Sequence, residues 1–215
     1  VSKTYEYGVK MEALWQRLRR WAADCPLGIT LRPGASEADI AAVETALGMA
    51  FPADLREYLR LANGEKWNSD GLIGGWRLLE LKFVVQEAQT MRDLAAEGAF
   101  GDNTNGETPA IKGLWWNPRW LPIVASGSGH FFCVDLDPNH AGTVGQVILF
   151  LHDDTARYLV AHSLKEWFAR LADDMERGLY EIVTGEDGYR RFNSEALLWS
   201  SLEGRTLYQP LPENG

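Results

Sequence analysis

The chain has 215 residues, 46% hydrophobic and 24% charged, which suits one soluble globular domain with additions and leaves no room for two large domains. Thirty acidic against 21 basic side chains give a net charge of −9, which argues against gripping nucleic acid by phosphate neutralisation and favours a basic partner. No apolar run approaches the ~18 residues of a membrane span and no signal-peptide pattern opens the chain, so a cytoplasmic protein without membrane partners is expected. Cys25 and Cys133, the only cysteines, are expected to be reduced thiols.

Residues 9–24 carry Met11, Leu14, Trp15, Leu18, Trp21 and Ala22 at helical spacing, with arginines between them. Ser36 is a good N-cap for a second helix, with Glu37 and Asp39 in its first turn, Ile40, Val43 and Leu47 as its apolar stripe, and Gly48 at its end. Pro52 starts a third helix whose Leu55, Tyr58, Leu59 and Ala62 face inward before Asn63 and Gly64 stop it. After a loop, 76–81 reads as a strand and 84–98 as a helix, and the Gly/Asn/Thr-rich segment 98–113 reads as a mobile loop.

From Trp120 the pattern changes. WLPIVAS, HFFCVDL, QVILFL and ARYLVAH are short β-rich runs separated by turn residues, which predicts an antiparallel meander. Ser163 caps a further helix carrying Leu164, Trp167, Phe168, Leu171 and Met175, and SEALLWSSLEG predicts a last helix before a fraying tail. The fold class is therefore α+β, a mostly antiparallel meander flanked by N-terminal helices and a C-terminal helix.

Residues 125–149 raise three kinds of chemistry: metal binding, phosphate binding and serine hydrolysis. Asp135 and Asp137 lie on one face of an extended strand, so with His130, His140 or His152 they allow a divalent-ion site and a metal-dependent hydrolase. The turn reading accounts for each residue more simply: GSG at 127–129 is a tight turn, and Asp137 and Pro138 open a type I turn. No HExxH or paired CxxC supports a metal, no helix or GK[ST] follows the glycines to bind phosphate, and GxSxG is absent. No catalytic residue, cofactor or metal is assigned, and Cys133 alternates within an apolar strand as an inert thiol does.

The tryptophans divide in two. Trp15, Trp21 and Trp167 lie on helical core stripes, whereas Trp67, Trp76, Trp115, Trp116 and Trp120 fall in or beside loops. Consecutive Trp115 and Trp116 cannot both point inward from an extended segment, so one is expected at the surface, where Trp is enriched at binding hot spots. Asp70, Asp102, Glu107, Asp153 and Asp154 fall in nearby loops. The expected partner-binding set is Trp67, Trp76, Trp115, Trp116, Asp102, Glu107, Asp153 and Asp154, and exposed indoles equally suit a homodimer interface.

Two blocks carry a resemblance. In the helices it rests on Ile40, Glu44, Leu47, Phe51, Pro52, Leu55, Tyr58, Leu59, Asn63 and Gly64. In the meander it rests on Trp120, Leu121 and Pro122, Gly129, Asp135 with Asp137, Gly145 to Val147, and Asp153. Over about residues 30–175 the chain resembles the SUKH superfamily, typified by fungal coordinators of cell-wall synthesis and bacterial immunity proteins. The resemblance implies an α+β domain at 29–180; the N-terminal helix at 1–28, the Asn/Gly loop at 101–106 and an extension at 181–215, expected to pack on the domain, depart from the minimal family. The resemblance also implies a non-enzymatic protein-binding role. The leading expectation is an immunity protein that neutralises a basic toxin such as a nuclease; the alternatives are a regulatory scaffold in wall or envelope synthesis and the metal-dependent hydrolase.

Overall fold

The computed structural model describes residues 9–101 and 108–193. Asp102 and Glu107, the expected last helix at 194–204 and the tail lie outside the described residues.

The first helix, α1 (Met11–Asp24), buries Met11, Leu14, Trp15, Leu18 and Ala22, while Trp21 is half-buried. Helix α2 (Glu37–Leu47) begins with a capping box: Ser36 Oγ accepts from Asp39 N and the Asp39 carboxylate accepts from Ser36 N. Gly48 ends it at φ 65°, a conformation costly for any side chain with a Cβ. Glu44 then reaches across the turn to accept from Phe51 N at 2.7 Å and pairs with Arg56, which sets the angle at which α3 (Ala53–Leu61) leaves α2.

Strand β1 is shorter than its sequence suggests, spanning only Arg77–Leu78. Among the described residues its far side meets no strand: Leu78 N donates to the buried Glu65 carboxylate at 2.8 Å, and the Leu78 carbonyl accepts from Glu65 N. Helix α4 (Leu81–Ala96) starts early because Asn63 Oδ1 accepts from Leu81 N at 2.8 Å, a cap delivered from 18 residues away.

The meander is as expected. Strands β2 (Trp120–Ala125), β3 (Phe131–Asp135), β4 (Gln146–Phe150) and β5 (Arg157–Ala161) extend β1 in the order β1-β2-β3-β4-β5, every pair antiparallel. Every residue of β2, β3 and β4 is buried, so both faces of the sheet are covered, and this explains near-continuous apolar runs where a half-exposed sheet would alternate. On one face α5 (Leu164–Glu176), capped by Ser163 Oγ, sets Trp167 against Phe132 at 4.8 Å between ring centroids. Behind it Trp15, Tyr58 and Phe168 form an aromatic cluster with centroids 5.1–6.0 Å apart, joining α1, α3 and α5.

The other face is covered by the chain from Thr108 to Pro118. Residues 108–113, expected as part of a mobile loop, are instead tied down: Asn139 Nδ2 donates to the Thr108 carbonyl at 2.7 Å and Gln146 Nε2 to the Ala110 carbonyl at 2.9 Å. Ile111 is fully buried, and Trp116 meets Phe150 edge-on at 5.0 Å.

A hairpin not foreseen in the sequence follows α5. Strands β6 (Ile182–Thr184) and β7 (Arg190–Phe192) pair with each other, and Phe192 stacks on Trp21 at 6.0 Å while Tyr180 meets it edge-on. The half-buried face of α1 is thus covered by a segment some 160 positions later. Among the described residues no helix is long and apolar enough to cross a membrane.

Candidate functional site

Asp135 and Asp137 serve the β3–β4 connection. Asp135 ends β3 opposite Gln146, and its two oxygens accept from Asp137 N at 2.9 Å and Gln146 Nε2 at 2.8 Å. Burial pushes its acid up to about 6 against the opposing pull of those donors. Burial would raise Asp137 too, but Lys112 Nζ at 2.6 Å and Asn117 Nδ2 at 3.0 Å outweigh it and hold that carboxyl below the usual range. The two carboxylates are thus engaged as clamps, and no histidine joins them. The group of ligand-type side chains that does assemble among the described residues is His130, His152 and Asp153.

The loop tryptophans take four different environments. Trp67 is 71% exposed, with the Arg77 guanidinium 4.2 Å above its ring and Phe83 at 5.6 Å. Trp76 is only 9% exposed, lying between His130, stacked at 5.8 Å, and Phe132. Trp115 is half-buried beneath Arg157, whose guanidinium is 4.8 Å from its ring. Trp116, at 4% exposure, belongs to the core, where it packs edge-on against Trp120, Phe131 and Phe150. Residue 115 is therefore the more exposed of the consecutive pair, and Trp116 is placed away from the surface expected of it, because the segment folds back over the sheet.

The acids are dispersed as well. Asp153 is exposed, whereas Asp154 is half-buried and accepts from Ala156 N and Tyr158 Oη, both at 2.8 Å. Burial and that bond push the Tyr158 phenol up to about 12. Asp70 accepts from Gly28 N. The exposed Trp67 has the Arg77 guanidinium over its ring, and the Lys82 ammonium, 4.9 Å from the neighbouring Phe83 ring, is paired with Glu80 at 3.0 Å.

Two buried charged residues outside the expected set shape the loops around these side chains. Glu65, 4% exposed, accepts from Ser69, Leu72 N and Leu78 N and so organises the whole Trp67-bearing loop. Arg157, 1% exposed, donates to the carbonyls of Leu151, Asp154, Ala156 and Trp115, and burial lowers it to about 10. An arginine at the start of an otherwise apolar strand was the readable signal for it. Both cysteines are free, and burial raises the Cys133 thiol well above its ordinary value.

The helix hairpin, the Trp120 entry and the meander in this order are matched by a family model, SMI1 / KNR4 family (SUKH-1), over residues 34–170. The chain belongs to the SMI1/KNR4 family. Among curated members it is 29% identical to the "Cell wall biosynthesis/cell cycle regulator smi1" of Schizosaccharomyces pombe, covering 82% of this chain and 38% of that protein. It is 26% identical to the "Glucan synthesis regulatory protein" of Neurospora crassa, over 78% of this chain and 39% of that protein. It is 22% identical to the "Cell wall assembly regulator SMI1" of Saccharomyces cerevisiae, over 81% and 42%. The chain thus spans well under half the length of these SMI1/KNR4 relatives.

Proposed function

We propose that this chain is a regulatory protein-binding module that acts in cell-wall synthesis, by docking rather than by catalysis. The observation that carries the docking surface is Trp67, 71% exposed yet held in place by Arg77 and Phe83. An indole already restrained before binding loses little side-chain entropy when a partner covers it, and such residues dominate binding energy. The direction of the regulation is supported by the names of the fungal relatives, which are regulators of wall assembly and glucan synthesis. This reading takes precedence over toxin neutralisation, the other role implied by the resemblance, because the curated relatives carry the names of wall regulators.

Cells of the source organism that lack the chain provide the test, complemented with wild type or Trp67→Ala. Wall-polymer incorporation should fall without the chain, return with wild type and return only partly with the variant. Normal incorporation in cells lacking the chain, combined with new sensitivity to a toxin from neighbouring cells, would reverse the reading in favour of an immunity protein.

A further inference from the structure

At one end of the meander two turns, 126–130 between β2 and β3 and 151–156 between β4 and β5, bring three ligand-type side chains together. His130 Nδ1 and His152 Nδ1 face each other at 3.2 Å, and Asp153 Oδ1 lies 3.8 Å from His130 Nδ1. Two nitrogens bound to one tetrahedral Zn²⁺ at about 2.0–2.1 Å stand roughly 3.3 Å apart, so the imidazole pair already has the spacing of an ion-bound pair. The Asp153 side chain is 67% exposed and free to close the remaining half-ångström by a small rotation. We propose that His130 Nδ1, His152 Nδ1 and the Asp153 carboxylate form a binding site for a divalent ion of the zinc class, with a fourth position left to water.

The donor set points to that class. Two imidazoles and a carboxylate suit borderline divalent transition metals, whereas calcium and magnesium call for more oxygen ligands. Neutral imidazole supplies one lone pair; with the pair hydrogen-bonded, one of the facing nitrogens carries a proton. Ion binding requires the tautomer with that proton on Nε2, and the ion replaces the His152 backbone N–H from which His130 Nδ1 accepts at 3.2 Å.

The surroundings hold the ligands in place. Ser126 Oγ accepts from Ser128 N and His130 N at 3.1 and 3.2 Å, and Ser126 N donates to the His130 carbonyl, so the first turn is closed on both sides. Trp76 stacks on the His130 ring with only 16° between planes and fixes its tilt. A Cβ at Gly129 would lie 3.5 Å from the His152 ring, in ordinary van der Waals contact, so the first turn packs closely against this imidazole. On the second turn the buried Arg157 holds the carbonyls of Leu151 and Asp154, the residues on either side of His152 and Asp153. Such support from neighbouring groups is what makes a ligand set selective rather than incidental.

Zinc titrated into the tag-free full chain, followed by calorimetry and by elemental analysis after dialysis, tests the site. One ion per chain is expected, with affinity reduced at least about tenfold in His130→Ala and in His152→Ala. His140→Ala, at the opposite end of the meander, should bind as wild type does, and circular dichroism should show all three variants folded. Equal zinc binding in wild type, His130→Ala and His152→Ala overturns the site, as does a wild type that retains no zinc from molar excess.

Discussion

Asp135 has no exposed surface, and its acid stands at about 6 against an ordinary value of 3.8, with burial as the main cause. The folded chain therefore keeps this proton to a higher pH than the unfolded chain does. The group's contribution to stability is complete below about pH 4 and is lost as pH rises through 6, a change of about 3 kcal/mol. Urea denaturation of wild type and Asp135→Asn should show the variant gaining on wild type by about that amount between pH 4 and 7; a constant difference across that range would remove burial as the cause. Arg157 presents the opposite balance, a buried cation whose two terminal nitrogens donate to four carbonyls while its buried Nε has no partner among the described residues. Arg157→Met should cost on the order of 3 kcal/mol in the same assay, because the carbonyls lose their donor without gaining access to water. The burial of Asp135 was not legible in the sequence: alternation places it on a face of its strand but says nothing about what covers that face.

The α2–α3 hairpin shows how much an element can be read from its own residues. Ser36, Asp39, Gly48 and Pro52 mark its ends in the sequence and stand at those ends in the fold. Two of its glycines separate conformational from steric demand. Gly48, at φ 65°, has nothing within 4 Å of an added Cβ, so Gly48→Ala should cost about 1 kcal/mol. Gly64, at φ 69°, would set a Cβ 2.4 Å from the Leu79 backbone, which adds roughly a further 1–3 kcal/mol. Thermal melts of the two variants give the comparison, and equal shifts would show that the close approach of the 64 and 79 backbones is not rigid. Elements whose ends depend on distant partners were read less well. Helix α4 begins three residues before the expected position because Asn63 caps it, and β1 shrinks to two residues because the Glu65 side chain and backbone take the place of a neighbouring strand.

Across the whole molecule, the covering of both sheet faces sorts the tryptophans. Trp116→Ala should lower stability by about 3–5 kcal/mol, as removal of a large core side chain does, while Trp67→Ala should leave it within about 1 kcal/mol. Chemical denaturation measures both, and similar losses would mean that Trp67 is also a packing residue rather than a surface prepared for a partner. The sequence by itself determined the helices α1, α2, α3 and α5, the four long strands and their antiparallel order, and the family resemblance. Those signals are capping residues, apolar periodicity and turn residues, which act within a few positions of where they are written. Only the tertiary structure decided that Trp116 is core while Trp67 is exposed, that Tyr180 and Phe192 close over Trp21, and that His130 meets His152 rather than Asp135 or Asp137. Burial and ligand spacing depend on groups far apart in the chain, and no local pattern records which of them will meet.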